Sequence, residues 1–459
     1  MPRSSARSRS ATPVWFGRLG LELRRLASPL LVSTRGLLSI TFEIPLDPLP
    51  VPGEALQPWC FWERPADDHR LLGLGEALRL SKRGDGRFTR LRQCVAEREA
   101  GWIHIEQGQA RCQARAFLGF AFDPVDPGEG PWESFPNLLW IVPSLLLEWR
   151  RGCCSLTFSQ DCARREAPAR VIDRWMRLLL RLLETSDGAA TAAPRLLEMR
   201  EEPSGTAWSR DVAEAVAAIR DDSFLHKVVL SRTQRLRFDG VPDSATLLDR
   251  LAGDFSGCTI LGVRLGQATL LAATPERLLS MAGGEVCSDA IAGTLPADGW
   301  PEGEGMRHHE HRPVVEAVCA ALGRWCDTVE AEAQPTTLSL PGLAHLATPV
   351  RGRLSPEADV HDLLEALHPT PAVGGVPRQA AMAWIRAHER HARGWYTGGF
   401  GWVGDGDRAE LAVVLRSGLL RGTQLMLHAG AGITRISRPA NELAETELKL
   451  RTLRDRLLS

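Results

Sequence analysis

Between residues 226 and 433 one short apolar, β-branched run follows another: HKVVLSRTQRLRF, ILGVRLGQATLLAATPERLLSM, HLATPVRGRL, WYTGGFGWVG, ELAVVLRSGLL and LMLHAGAGI. Runs of this kind, punctuated by glycine and proline, read as strands, and strands in this number have to pair into large sheets. ILGVRLGQATLLAATPERLLSM is a hairpin, with Gly266 in the turn and a sharp exit at Thr274-Pro275. Helical periods separate the strands: WSRDVAEAVAAIRDD, HEHRPVVEAVCAALGRWCD, PRQAAMAWIRAHERHA and the closing RPANELAETELKLRTLRDRLL, which Pro439 opens near its first turn. A mixed chain of strands and helices is therefore expected, with no internal repeat.

The earlier part of the chain is less regular. LRQCVAERE and VIDRWMRLLLRLLE carry the 3.6-residue period of helices, while FLGFAFD and LLWIVPSLLLEWR read as strands. FDPVDPGEGPWESFPN is a loop by its proline and glycine content, and SDGAATAAPRLLEMREEPSG reads as a connector. Residues 1–35, rich in arginine and serine, are expected to be a basic solvated tail without the features of a secretory signal.

Charge narrows the function. Fifty-five basic residues offset 56 acidic ones, so the chain lacks the basic surplus that phosphate contacts require, and no nucleic-acid partner is expected. No run of 18 apolar residues occurs, so no membrane span is expected either. Ten scattered cysteines without a C-x-x-C read as free thiols of a cytoplasmic protein. Only three of the basic residues are lysine (Lys82, Lys227 and Lys449), and Tyr396 is the single tyrosine. Arginine keeps its proton in proteins whereas lysine can be tuned to act as a base, so a surviving lysine points to proton chemistry or a compact ammonium contact.

Lys227 lies in a strand with apolar neighbours, where partial desolvation favours a neutral amine. Glu276 follows a proline at a strand end, from which a carboxylate can be aimed into a cleft. Glu442, Glu445 and Lys449, spaced i, i+3 and i+7, share one stripe of the last helix, and Leu443, Leu450, Leu453 and Leu457 form a separate apolar stripe. Two carboxylates one turn apart suit a hard cation such as Mg²⁺, and Glu310, at the start of another helix, is a candidate third. Gly430 and Gly432 allow an anion to approach the backbone. His308, His309 and His311 lack ligand spacing for zinc. Taken singly, each of these residues also reads as an ordinary surface charge; their order along the chain is more specific.

In that order, HKVVLSR, ATPERLL, DAIAGTLP, EHRPVVEAV, HLATPVRGRL, LHPTPAVGGVPR, RGWYTGGFGW, VVLRSGLL, HAGAGI and ELAETELKL span about residues 205–455 and resemble the chorismate-utilising enzymes, within them the isochorismate synthases. The resemblance implies an α+β fold of two large antiparallel sheets packed together with helices outside, in which residues 36–204 are a variable N-terminal portion and 205–459 the chorismate-binding catalytic portion. It implies chorismate as substrate, Mg²⁺ as cofactor, a monomer, and no glutamine amidotransferase subunit. Lys227 then corresponds to the base that activates water for attack at C2, and Glu276 to the acid that protonates the departing C4 hydroxyl. Glu310, Glu442 and Glu445 correspond to the acidic residues around Mg²⁺. Tyr396, Arg416, Gly430, Gly432 and Lys449 correspond to residues that hold substrate carboxylates, and Gly293, Thr294 and His345 to the pocket lining.

The nucleophile separates the branches of that family. Anthranilate synthases typically carry glutamine where Lys227 stands, and aminodeoxychorismate synthases a lysine where Ala292 stands. The resemblance therefore implies isochorismate formation, an intramolecular hydroxyl transfer. Salicylate synthase, which goes on to eliminate pyruvate, is the second reading, and a non-catalytic chorismate-binding protein the third. The motifs are common to enzymes of menaquinone and of siderophore synthesis.

Overall fold

A computed structural model describes residues 13–48, 51–108, 114–185, 193–221, 224–296, 304–340, 343–404 and 408–458. Among them 23 strands form two sheets, one of 13 strands and one of 10, and pairing is antiparallel except between Leu37–Glu43 and Ile103–Gln107. The central strands of both sheets are buried on both faces, which explains why they read as continuous apolar runs, while edge strands such as Leu196–Glu202 and Cys326–Ala331 are largely exposed. In Ala268–Thr274, Leu270 and Ala272 face the layer between the sheets, while Leu271 and Ala273 face helices on the outside. In Leu138–Val142, Leu139 and Ile141 likewise point inward, and Leu138, Trp140 and Val142 outward. A residue period of two divides each strand between two cores. This is the two-sheet α+β architecture that the resemblance implies.

The helices cover the outer faces. Val14–Ser33 packs against Pro168–Thr185 and buries Leu19, Leu23, Ala27 and Leu31. For residues 14–33 this corrects the reading of a solvated tail, residues 1–12 lying outside the described residues: the leucines recur at i, i+4 and i+12, and one apolar stripe suffices to dock an arginine-rich helix. The connector reading is also corrected in part, because Leu196–Glu202 is a strand at the edge of the larger sheet. LLWIVPSLLLEWR divides at Pro143-Ser144 into two strands, one in each sheet. The portions on either side of residue 205 share both sheets: Trp59–Arg64 pairs with Thr259–Leu265, and Arg115–Phe120 with Gly399–Gly404. No described helix is long and apolar enough to cross a membrane. All nine described cysteines are free.

Candidate active site

The site is built on the ribbon formed by Lys227–Phe238 and Gln424–Thr434, whose register sets Lys227 opposite Thr434, Val229 opposite Gly432, Ser231 opposite Gly430 and Thr233 opposite His428. Paired residues share a face. Val228, Leu230, Ala431 and Ile433 point into the outer core under the Gly205–Asp221 helix. Lys227, Val229, His428, Gly430 and Gly432 line a cavity on the opposite face. The two glycines keep its floor low. A Cβ at position 432 would stand 2.7 Å from Cε of Lys227, and one at 430 would stand 3.1 Å from the Tyr396 hydroxyl and 2.9 Å from the Leu230 carbonyl oxygen. Both functional side chains thus occupy space that only glycine leaves open.

Glu276 enters the same cavity from the Thr274-Pro275 corner and is 3% exposed. Its backbone is fixed by Val413, whose N–H donates to the Glu276 carbonyl at 3.0 Å, and by the Thr274 hydroxyl, which donates to the Val413 carbonyl at 2.6 Å. Burial, and secondarily the Asp289 carboxylate, raise the Glu276 pKa to about 8, against the downward pull of the Lys227 charge. The carboxyl is protonated at neutral pH and can act as a proton donor.

On another wall, His345 Nε2 lies 2.7 Å from Nη2 of Arg416, and Nδ1 lies 3.1 Å from the Gly293 carbonyl oxygen. Guanidinium can only donate, so Nε2 accepts and Nδ1–H donates to Gly293. Burial, then the charges of Arg416 and Lys449, lower the His345 pKa to about 3 and keep the ring neutral. Gly293 has φ +75° and sits at a shift in register between Glu285–Pro296 and Leu343–Leu354, which turns its carbonyl toward the histidine. Arg416, itself at φ +47° between two strands, pairs with no carboxylate among the described residues and presents its charge to the cavity. The last helix, Pro439–Leu458, buries Leu450, Leu453 and Leu457 and turns Glu442, Glu445 and Lys449 to the cavity. Lys449 Nζ donates to the Gly430 carbonyl at 2.8 Å and pairs with Glu445 at 2.7 Å.

Eleven of the thirteen residues expected from the sequence therefore line one cavity: Lys227, Glu276, Gly293, His345, Tyr396, Arg416, Gly430, Gly432, Glu442, Glu445 and Lys449. The side chains of Thr294 and Glu310 lie outside the described residues; their backbones belong to the Glu285–Pro296 strand and the Glu304–Leu322 helix, which touch each other. Glu442 and Glu445 offer hard oxygen donors from adjacent turns, which fits Mg²⁺, although no third metal-ligating side chain joins them among the described residues. His311 is buried and bonds to the Thr348 hydroxyl at 2.7 Å, apart from that cavity. Sequence reasoning missed His428 and Asp289. Alternation along LHAGAGI puts His428 on the face of Gly430 and Gly432, and that period was the available signal for it. Asp289 acts only through its neighbourhood in space and left none.

Residues 28–458 match the family model described as chorismate binding enzyme. The chain is 32% identical over 443 residues to the salicylate biosynthesis isochorismate synthase of Pseudomonas aeruginosa, covering 92% of this chain and 90% of the relative. It is 29% identical to isochorismate synthase MenF of Bacillus subtilis, covering 86% of each. The fold is that of the menaquinone-specific isochorismate synthase MenF from Escherichia coli, with a TM-score of 0.78 at 23% identity over 96% of this chain and 99% of the other. Anthranilate synthase component I from Streptococcus pneumoniae shares it at a TM-score of 0.66 and 19% identity, over 89% and 94% of the two chains. The motifs, the two-sheet fold and a match over most of its length agree: the chain belongs to the family of chorismate binding enzymes.

Proposed function

We propose that this protein is a Mg²⁺-dependent isochorismate synthase, an isomerase that adds water at C2 of chorismate and expels the C4 hydroxyl. The observation that carries the reading is the pairing of Lys227 with a protonated Glu276 across one cavity that also presents Arg416, Lys449 and two metal-competent carboxylates. In its unprotonated form the Lys227 amine takes a proton from water as the water oxygen bonds to C2. The C1–C2 and C5–C6 π electrons shift around the ring, the C4–O bond breaks, and Glu276 gives its proton to the leaving hydroxyl, which departs as water. Proton return from the Lys227 ammonium to the Glu276 carboxylate through solvent restores both groups. Glu442 and Glu445, with Glu310 as the expected third carboxylate, would hold Mg²⁺, which when bound would supply positive charge for the ring carboxylate. Arg416, Tyr396 and Lys449 orient the substrate carboxylates, and Gly293, Thr294 and His345 shape the pocket beside them.

A lysine at the position facing Glu276 favours water as nucleophile, since ammonia needs no base. The names of the P. aeruginosa and B. subtilis relatives agree with this reaction. The proposal includes a cytoplasmic monomer working on chorismate without an amidotransferase subunit. Incubation with chorismate and Mg²⁺, followed by chromatography and mass analysis, tests it. Isochorismate is the expected product; salicylate with pyruvate would assign the second activity, and binding without turnover a non-catalytic role.

A further inference from the structure

We infer that Arg393, clamped to Glu389, is a positioning residue that holds the Lys227 strand in the geometry proton transfer requires; this rests on the isochorismate synthase reading. The strand Lys227–Phe238 pairs along one edge with Gln424–Thr434 from Lys227 to Arg237. Its other edge has two partners: Gly375–Val376 reaches as far as Val228, and Leu196–Glu202 begins at Thr233. Side chains meet the backbone between them. Arg393 Nη2 donates to the Val229 carbonyl at 2.6 Å, and the Ser231 N–H and hydroxyl donate to Glu389 Oε1 at 2.6 and 2.7 Å. Arg393 Nη1 also donates to the Val373 carbonyl at 2.9 Å, next to Gly374, whose carbonyl accepts from the Val229 N–H at 2.9 Å. The arginine thus fastens the Lys227 strand to the loop that carries its two-residue partner.

Both sides of the clamp are held in place. Arg393 and Glu389 share two bonds, Nε to Oε2 at 2.7 Å and Nη2 to Oε1 at 2.9 Å, with side chains 3% and 8% exposed. The guanidinium carbon lies 4.2 Å from the centre of the Phe122 ring. A planar fork serves two backbone carbonyls and a carboxylate at once, which a single ammonium cannot reproduce. Val229 and Val373 both line the cavity, and Val229 is two residues from Lys227 on the same face. A shift of this strand edge therefore moves the Lys227 amine relative to Glu276, which enters from the Thr274-Pro275 corner. Neither Arg393 nor Glu389 is among the cavity-lining residues, so both act on the reaction through the strand.

Arg393→Lys keeps the charge and loses the fork. Steady-state kinetics with chorismate should show kcat lowered about 10–100-fold, the scale of an ångström-size misplacement, with KM within about threefold of wild type. A double-mutant cycle separates positioning from general damage. In a Lys227→Ala background, measured with enzyme in excess over chorismate, Arg393→Lys should lower turnover by no more than about twofold further, since the base it positions is gone. Arg115→Lys supplies the comparison for lost stability. It weakens the similarly buried Arg115–Glu148 pair, at 2.8 Å and away from the cavity, so it should lower the melting temperature and leave kcat within about twofold. An unchanged kcat in Arg393→Lys, a rise in KM that accounts for its loss, or an equal loss in the Lys227→Ala background or in Arg115→Lys would overturn the assignment. Should Arg393→Lys not fold, Glu389→Gln, which keeps an oxygen for Ser231, enters the same cycle. Wild-type protein that leaves chorismate unconverted would instead overturn the isochorismate synthase reading, and this assignment with it.

Discussion

In the proposed reaction Lys227 and Glu276 divide the proton work between them, and burial keeps the Glu276 carboxyl protonated at neutral pH. Lys227→Ala should lower kcat by about 10²–10⁴-fold, the usual contribution of a positioned general base, with circular dichroism and melting temperature little changed. Turnover near wild type would remove the amine from the mechanism. Glu276 is needed protonated, so kcat/KM should fall as pH rises through about 8. The same raised pKa has a sign in stability. Between 4.5 and about 8 the folded carboxyl keeps a proton that the unfolded one releases, so its contribution to stability declines as pH rises through that window. Glu276→Gln carries no such group, and its melting temperature relative to wild type should climb from pH 5 to pH 8 while turnover is lost. A constant difference would place the raised pKa elsewhere. With only three lysines and one tyrosine in an arginine-rich chain, the two cavity lysines, Lys227 and Lys449, and Tyr396 were legible from composition. His428 was not legible that way, because histidine is one of 12 here and only its strand face distinguishes it.

At the scale of elements, the last helix presents two carboxylates to the cavity among the described residues. Its apolar stripe docks on the larger sheet's outer core and its Glu442–Glu445–Lys449 stripe meets the cavity, so the two stripes read from spacing alone are both used. Glu445→Ala should raise the Mg²⁺ concentration needed for half-maximal activity by at least about tenfold, since even the loss of an outer-shell partner has that effect. An unchanged Mg²⁺ titration would make the stripe a solvated helix face. Leu343–Leu354 was visible as the run HLATPVRGRL, whereas Glu285–Pro296 entered only through the motif DAIAGTLP, and the register shift at Gly293, which turns its carbonyl to His345, depends on pairing and could not be read from either strand alone. The N-terminal helix went unrecognised for a similar reason. Its leucines are diluted by arginines, and only the presence of the Pro168–Thr185 helix makes their stripe worth burying.

For the whole molecule, function depends on sheets assembled from both portions of the chain. The ribbon that floors the cavity lies in the larger sheet, while Gly293 and His345 come from the smaller one, so the cavity exists only when the sheets are packed together. The inner layer that joins them includes Trp62 and Phe117 from the variable portion and Leu270, Trp395 and Phe400 from the catalytic one. The collinear motifs carried the fold class, and the least recognisable residues supply much of the scaffold under it. Core positions tolerate many apolar side chains of similar volume, whereas proton chemistry accepts few residue types, which is why the site was more readable than its support. The central claim is that Lys227 drives solvent oxygen onto C2 as Glu276 releases the C4 hydroxyl. Turnover of chorismate in ¹⁸O-enriched water, analysed by mass spectrometry before equilibrium is reached, tests it directly. The account predicts isochorismate carrying a single heavy oxygen in its ring hydroxyl; product that retains the original oxygen unlabelled, or no isochorismate at all, would contradict it.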